Sequence, residues 1–464
     1  MVEFVNPMQE HFAPWVQKVL DGAFAVLERK GLLVPQPQVL RTLAGATGVS
    51  VNDSRVFFAP SRSSGFLDRY RKCHAFSAQP EFALGTGAHA HHIVDVDGTL
   101  RPIVLADVEA GTRLEAALEL EDSGVRASAP GIPQDVPPPL QALAQLLAAA
   151  TNKPGYPTHV PSTAPEAEGY IIDCLDVLGY SQSVGVHMVS PLRFEGDEVE
   201  RALRIVRATP GSSVGVGTMP VLGVSAPASV LGGFVVATAE VLGGAMVFEA
   251  LGTAVTDLGL SVNAYPFDMR YGSFIYGAPA NVVCTLLERE INRMLGAEVP
   301  AKSFNTTAQR PGPQACAQKA AFTGLMAGLG KKLFSGGASL SVDEIYSPVQ
   351  LIYDREILGY IRCTAQILAS SFGEGMLMVD EIIRRGSDYM AAESTVSSFR
   401  ALQWDSGVFP SRMLAQWQAA GCPLEEQAAV KEIKRLLDGY EYHLPEDKAR
   451  ALDGIYVRAA RNLT

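Results

Sequence analysis

Residues 263–279 read NAYPFDMRYGSFIYGAP and hold five aromatic rings, Tyr265, Phe267, Tyr271, Phe274 and Tyr276. One acid and one base, Asp268 and Arg270, sit among them. Ring faces attract a cation by roughly 0.5–2 kcal/mol each, including a quaternary ammonium, which has no proton to donate. Such a cluster is either an ammonium cage or a set of rings that packs a loop onto the body of the fold. Tyr265, Phe267, Tyr271 and Tyr276 are the cage candidates. Asp268 either supplies counter-charge to an ammonium or pairs with Arg270. Arg270 and Arg310 are candidates to fork onto a substrate carboxylate, with a surface or partner-facing role as the alternative. His187, in a strand-like run, and Gln314, which opens a helix-like run, complete the candidate substrate-binding set; a core position is the alternative for His187. The pattern assigns no catalytic residue.

These residues need a scaffold, and the sequence suggests one. From about residue 125, short runs of β-branched and small residues alternate with longer helical patterns. The runs are 125–131, 156–162, 183–191, 212–220, 259–267, 300–307 and 332–339, with a weaker eighth near 387–394. Strands alternating with helices imply parallel βα units. Seven or eight consecutive units predict a (β/α)8 barrel over 121–395. Residues 1–120, mixed in pattern, read as an N-terminal α+β cap, with a strand pair turning at Asp97-Gly98. Residues 396–464 read as a helical extension packed on the barrel. In such a barrel the aromatic segment follows a strand and lies on the catalytic face.

Composition narrows the function. The chain has 464 residues, 47% of them hydrophobic, and a formal charge of −11. That acidity disfavours a nucleic-acid or anionic-membrane binder. Six scattered cysteines without a C-x-x-C pair read as reduced thiols. No secretory leader pattern is evident, so a cytoplasmic enzyme is expected. The apolar run SVLGGFVVATAEVLGGAMVFEAL carries Glu240 and reads as a buried helix. Phosphate-loop, dinucleotide-loop, H-E-x-x-H and nucleophile-elbow patterns are absent. His89 and His91 would share a strand face, but with no clear third ligand no metal is assigned.

The blocks PQDVPPPLQALAQLLAAATNKP, VSPLRF, ATAEVLGGAMVFEALG, DMRYGSFIYGAP, QACAQKAAFTGLMAGLGKKLFSGGASL, QLIYDREI and LPEDKARALDGI occur in this order. Together they resemble the trimethylamine methyltransferase superfamily, from about residue 80 to the C-terminus. The resemblance implies a barrel enzyme that moves a methyl group from a methylated amine to the Co(I) of a separate corrinoid protein. The chain carries no non-standard residue, so it is similar to the branch without pyrrolysine, which includes glycine betaine:corrinoid methyltransferases. The implied donor is a quaternary amine and the implied partner is a cognate corrinoid protein. The corrinoid is expected on that partner, because no Asp-x-His-x-x-Gly loop occurs here. A homo-oligomer is also expected. The sequence departs from the family pattern at Thr307, Gln309, Gly312, Gln318 and Ser394, which leaves the particular donor open. Two rival readings are a barrel lyase or hydrolase for a small cationic or carboxylated metabolite, and a non-catalytic binding protein of the same fold.

Overall fold

The computed structural model describes residues 7–74, 81–155, 165–180, 183–208, 212–372, 374–385 and 388–464. At its centre lie six short strands: β1 (Ala83–Thr86), β2 (Val125–Arg126), β3 (Ser183–Met188), β4 (Ser213–Thr218), β5 (Leu258–Ser261) and β6 (Leu333–Gly337). They form two parallel sheets, ordered β6–β1–β2 and β5–β4–β3. A parallel bridge from Ala301 to Phe334 extends the first sheet beyond β6. The chain is therefore mixed α/β with parallel sheets. Among the described residues the two sheets are not laddered into one closed cylinder.

Helices flank the strands: α1 (Pro7–Arg29), α2 (Leu105–Leu120), α3 (Asp197–Ala208), α4 (Val230–Ala250), α5 (Pro279–Leu295), α6 (Pro313–Gly328), α7 (Pro348–Ser371), α8 (Val379–Arg385), α9 (Glu393–Ser398), α10 (Glu425–Gly439) and α11 (Glu446–Leu463). Val184, Val186, Met188, Val214, Val216, Leu258 and Leu260 share a core with side chains of α1 and α4. These alternate residues turn one face of β3–β4–β5 to the helices and leave the other free. α4 is long and apolar enough to cross a membrane, yet 72% of its most apolar window is buried in this fold. It is apolar on every side because it is packed on every side. Ser229 starts it, its Oγ accepting the Gly232 N–H at 3.0 Å. Gly243 admits a neighbour: a Cβ there would stand 2.5 Å from Leu32 Cδ1.

Three buried carboxylates fasten the C-terminal ends of the strands to the helices. Glu240 of α4 accepts from Ser190 Oγ at 2.8 Å, from Leu192 N at 2.7 Å and from the Thr218 hydroxyl. Glu115 of α2 accepts from Thr86 Oγ1 at 2.6 Å and from Ser128 N at 2.8 Å. Asp354 of α7 accepts from Lys319 Nζ at 2.7 Å, Ala338 N at 2.8 Å and Gln350 Nε2 at 2.7 Å. Burial raises the pKa of Glu240 and pushes that of Glu115 up to about 8, so Glu115 is protonated at neutral pH.

The strand expectations are met at 183–191, 212–220, 259–267 and 332–339, each trimmed by a few residues, and at the pair turning on Asp97-Gly98. The run at 125–131 yields the two residues of β2 and a bridge from Gly131 to Ala90, and the run at 300–307 a single bridge at Ala301. The run at 156–162 lies outside the described residues. Of the run expected at 387–394, the described residues 388–394 hold no strand: 388–392 turn into the start of α9. The strand beside β6 is instead β1, from within 1–120. Its sequence, Ala83-Leu84-Gly85-Thr86, is short and sits among turn-forming residues, so its pairing is set by β6 and β2 and not by local preference.

Candidate functional site

On the free face of β3–β4–β5, His187, Gly217 and Ser261 lie in register, preceded by a row of Gly185, Gly215 and Gly259. Glycine leaves this face almost bare: a Cβ at Gly185 would meet nothing within 4 Å. A Cβ at Gly217 would stand 3.2 Å from His187 Cδ2, so the imidazole lies over Gly217. His187 Nδ1 sits 3.0 Å from Glu198 Oε2, which also accepts the His187 N–H at 2.6 Å. Glu198 thus fixes the ring through its backbone and side chain together. The side chain of His187 remains 49% exposed, so it is half-open and not a core histidine.

Beyond β5 the chain passes Asn263 and enters the aromatic segment. Tyr265 and Tyr276 are both buried, with ring centroids 5.7 Å apart and edge to face; Phe274 packs 5.6 Å from Tyr265 in the same manner. Lys302, next to the Ala301 bridge, reaches across. Its Nζ donates to Asn263 Oδ1 at 3.0 Å, touches the Tyr265 hydroxyl, and stands 4.7 Å from the Tyr265 ring centroid. Burial raises the pKa of both phenols. Two acids interact electrostatically with Lys302. Burial pushes Glu288 of α5 up to about 7, against the pull of Lys302 and Lys331. Burial also raises Asp343, against the pull of His89 and Lys302. The result is one ammonium, two tyrosines and two carboxyls gathered past the end of β5.

The other candidates lie apart from this group. Phe267 pairs with Phe274 across a small hairpin. At its tip Arg270 grips Asp268 with two bonds, Nε to Oδ1 at 3.0 Å and Nη2 to Oδ2 at 2.6 Å. Those bonds hold the Asp268 carboxyl down at about 2. Tyr271 is 79% exposed beside Arg270. Arg310 is exposed and donates to Gly98 O at 3.0 Å, and Gln314 is exposed in the first turn of α6. Each guanidinium therefore already has a partner.

The sequence pattern that defines trimethylamine methyltransferase (MTTB) matches residues 181–463, more than half of the chain. The chain belongs to the trimethylamine methyltransferase family. The matched span holds β3 to β6 and every site residue described above except His89. A comparison with curated proteins finds no match. Among solved structures, the hydroxylamine complex of MtmB is 17% identical with a TM-score of 0.42, the alignment covering 93% of this chain and 95% of that one. The Methanosarcina barkeri monomethylamine methyltransferase MtmB is 17% identical with a TM-score of 0.40, covering 92% and 93%.

Four residues of this family member escape a reading of sequence alone: Asn263, Lys302, Asp343 and Glu198. Lys302 did leave a signal. It is a charged residue inside the strand-like run PAKSF, and its neighbours Ala301 and Ser303 are buried on the opposite face. Asp343 lies in a turn between Leu340 and Ile345, and nothing in its neighbours marks it.

Proposed function

We propose that this chain moves a methyl group from a quaternary, betaine-like amine to the Co(I) of a corrinoid carried by a separate protein. Membership of the trimethylamine methyltransferase family supports methyl transfer from a methylated amine. One observation carries the choice of a cationic donor: the buried Tyr265 and Tyr276 rings stand edge to face in the field of the Asp343 carboxyl. A ring face accepts a positive charge, and a substrate ammonium is suited to that environment. A quaternary nitrogen leaves as a neutral amine, so its methyl needs positioning more than activation. The absence of pyrrolysine from the chain agrees with such a donor.

In this reading the two sheets are arcs of a (β/α)8 barrel, with the site at the C-terminal ends of its strands. The corrinoid supplies the cobalt nucleophile. The chain's own residues bind and aim the donor: the two tyrosines hold the ammonium, Asn263 fixes Lys302, and the glycine face leaves space along the axis. Exposed Val224, Met269 and Tyr271, on the loops after β4 and β5, supply apolar surface for a protein to cover while it shuts out water.

The test is spectroscopic. The protein is mixed with a reduced corrinoid protein and a series of trimethylammonium compounds, and conversion of Co(I) to methyl-Co(III) is followed. Turnover with at least one such compound, reduced by Tyr265→Leu, is expected. No conversion with any of them, while a secondary or tertiary amine reacts, rules out the quaternary assignment.

A further inference from the structure

Three buried oxygens meet where the C-terminal ends of β1 and β2 run up against α2. Glu115 Oε1, Gln145 Oε1 and the Tyr346 hydroxyl have no hydrogen-bond partner among the described residues, and the three residues are 0%, 0% and 3% exposed. Buried polar atoms are almost always paired, so an orphaned group of this kind marks an occupant.

The three side chains come from α2, from the helix Gln141–Asn152 and from the strand Ile345–Tyr346. Their other contacts bring them to one place. Glu115 Oε2 accepts from Thr86 Oγ1 and from Ser128 N. Gln145 Nε2 donates to Ala88 O at 2.8 Å and to Ala129 O at 3.1 Å, two residues past Thr86 and one past Ser128. Those two carbonyls claim the amide nitrogen, so Gln145 Oε1 is an acceptor without a donor. The Tyr346 hydroxyl lies against Gly111, one turn before Glu115: a Cβ there would stand 3.2 Å from it and 2.6 Å from Pro130 Cγ, the residue after Ala129. The phenol also lies in the field of the Glu115 carboxyl.

We propose that one fixed water molecule occupies this junction and joins Glu115, Gln145 and Tyr346. Donors and acceptors select water over an ion. Glu115 Oε2 already accepts two hydrogens, so the proton of the neutral acid sits on Oε1 and donates inward. The Tyr346 hydroxyl donates as well, whereas Gln145 Oε1 can only accept. A water accepts the first two bonds and supplies the third, the usual number for buried solvent. A metal or ammonium ion has no lone pair for those two hydrogens, and Lys153 already places positive charge near Glu115. The water fastens two segments that border the candidate site. Gln145 holds the Ala88 carbonyl next to His89, and Tyr346 stands three residues after Asp343. One anchor therefore serves the chain on both sides of that pair.

The test uses the full chain and its near-isosteric variant Tyr346→Phe. Both are melted at about pH 6, where Glu115 is neutral, in the chlorides of sodium, potassium, ammonium and choline. With the hydroxyl bonded to water, the variant melts about 1–4 °C below the wild type, by the same margin in every salt. A variant that melts at or above the wild type overturns the proposal, because deleting an unpaired buried hydroxyl removes its cost. A margin that changes with the cation overturns it in favour of an ion. A crystal structure fine enough to show ordered solvent gives the second readout. One solvent peak within about 3.2 Å of all three oxygens is expected. No peak there, whether the three groups bond directly or stand apart, overturns it. Neither measurement depends on methyl transfer, so this inference and the functional reading fail separately.

Discussion

Glu115 gives the sharpest quantitative expectation. Its carboxyl is fully buried, and desolvation lifts its pKa from an ordinary 4.5 to about 8, with Thr86, Ser128 and Lys153 pulling the other way. In the unfolded chain the group ionises near 4.5. Between the two values the folded state binds the extra proton, so stability falls as pH rises through that window. Below about pH 4.5 both states are protonated and nothing is lost. At about 1.4 kcal/mol per unit the loss reaches about 3 kcal/mol at pH 7 and about 5 kcal/mol above pH 8. Glu115→Gln mimics the neutral acid: its amide oxygen can still accept from Thr86 and Ser128. Urea unfolding of wild type and variant at pH 5, 7 and 9 measures the difference. The variant should come within about 1 kcal/mol of the wild type at pH 5 and exceed it by several kcal/mol at pH 9. Other buried carboxyls, Glu288 among them, titrate in the same range but cancel in the comparison. Parallel pH profiles for the two proteins would refute the claim that Glu115 is held protonated.

Lys302→Met should remove the resident cation at the Tyr265 hydroxyl and tighten tetramethylammonium binding by about 2- to 30-fold, the equivalent of 0.5–2 kcal/mol. Titration calorimetry checks this, and unchanged or weaker binding would show that the lysine does not oppose a bound cation. Glu240→Ala should cost about 3 kcal/mol or more, because it strips the acceptor from two hydroxyls and the Leu192 N–H; Glu240→Gln should cost far less, as read by thermal melts. Gly217→Ala should displace the imidazole of His187 while moving stability by less than about 1 kcal/mol, since the ring has solvent to move into. A large drop in melting temperature would mean that the ring is packed shut.

The aromatic segment was legible because rings in a post-strand loop are conspicuous in composition alone. β3 to β6 were legible because runs of valine, leucine and glycine between helical patterns have few other solutions. What local sequence could not carry was pairing over distance. Lys302 meets Tyr265 across 37 positions, and β1 meets β6 across about 250. The arginines drew attention by charge. Their actual partners, Asp268 two residues away and the Gly98 carbonyl far off, are geometric facts that no residue type announces. His187 reads from sequence more readily as a core histidine, and only the direction of its strand face shows that it is exposed.

The bare free face of β3, β4 and β5 gives the two sides of these strands different tolerance to change. Rigidity there comes wholly from the valines, leucines and Met188 that grip the helices, so enlarging or trimming those residues should unfold the protein before it alters selectivity. The glycines opposite leave an open face whose wall is main chain. A single added methyl at Gly185 would raise that face without crowding a neighbour. A lineage could thus retune which molecules fit, one small step at a time, while leaving its foundations alone.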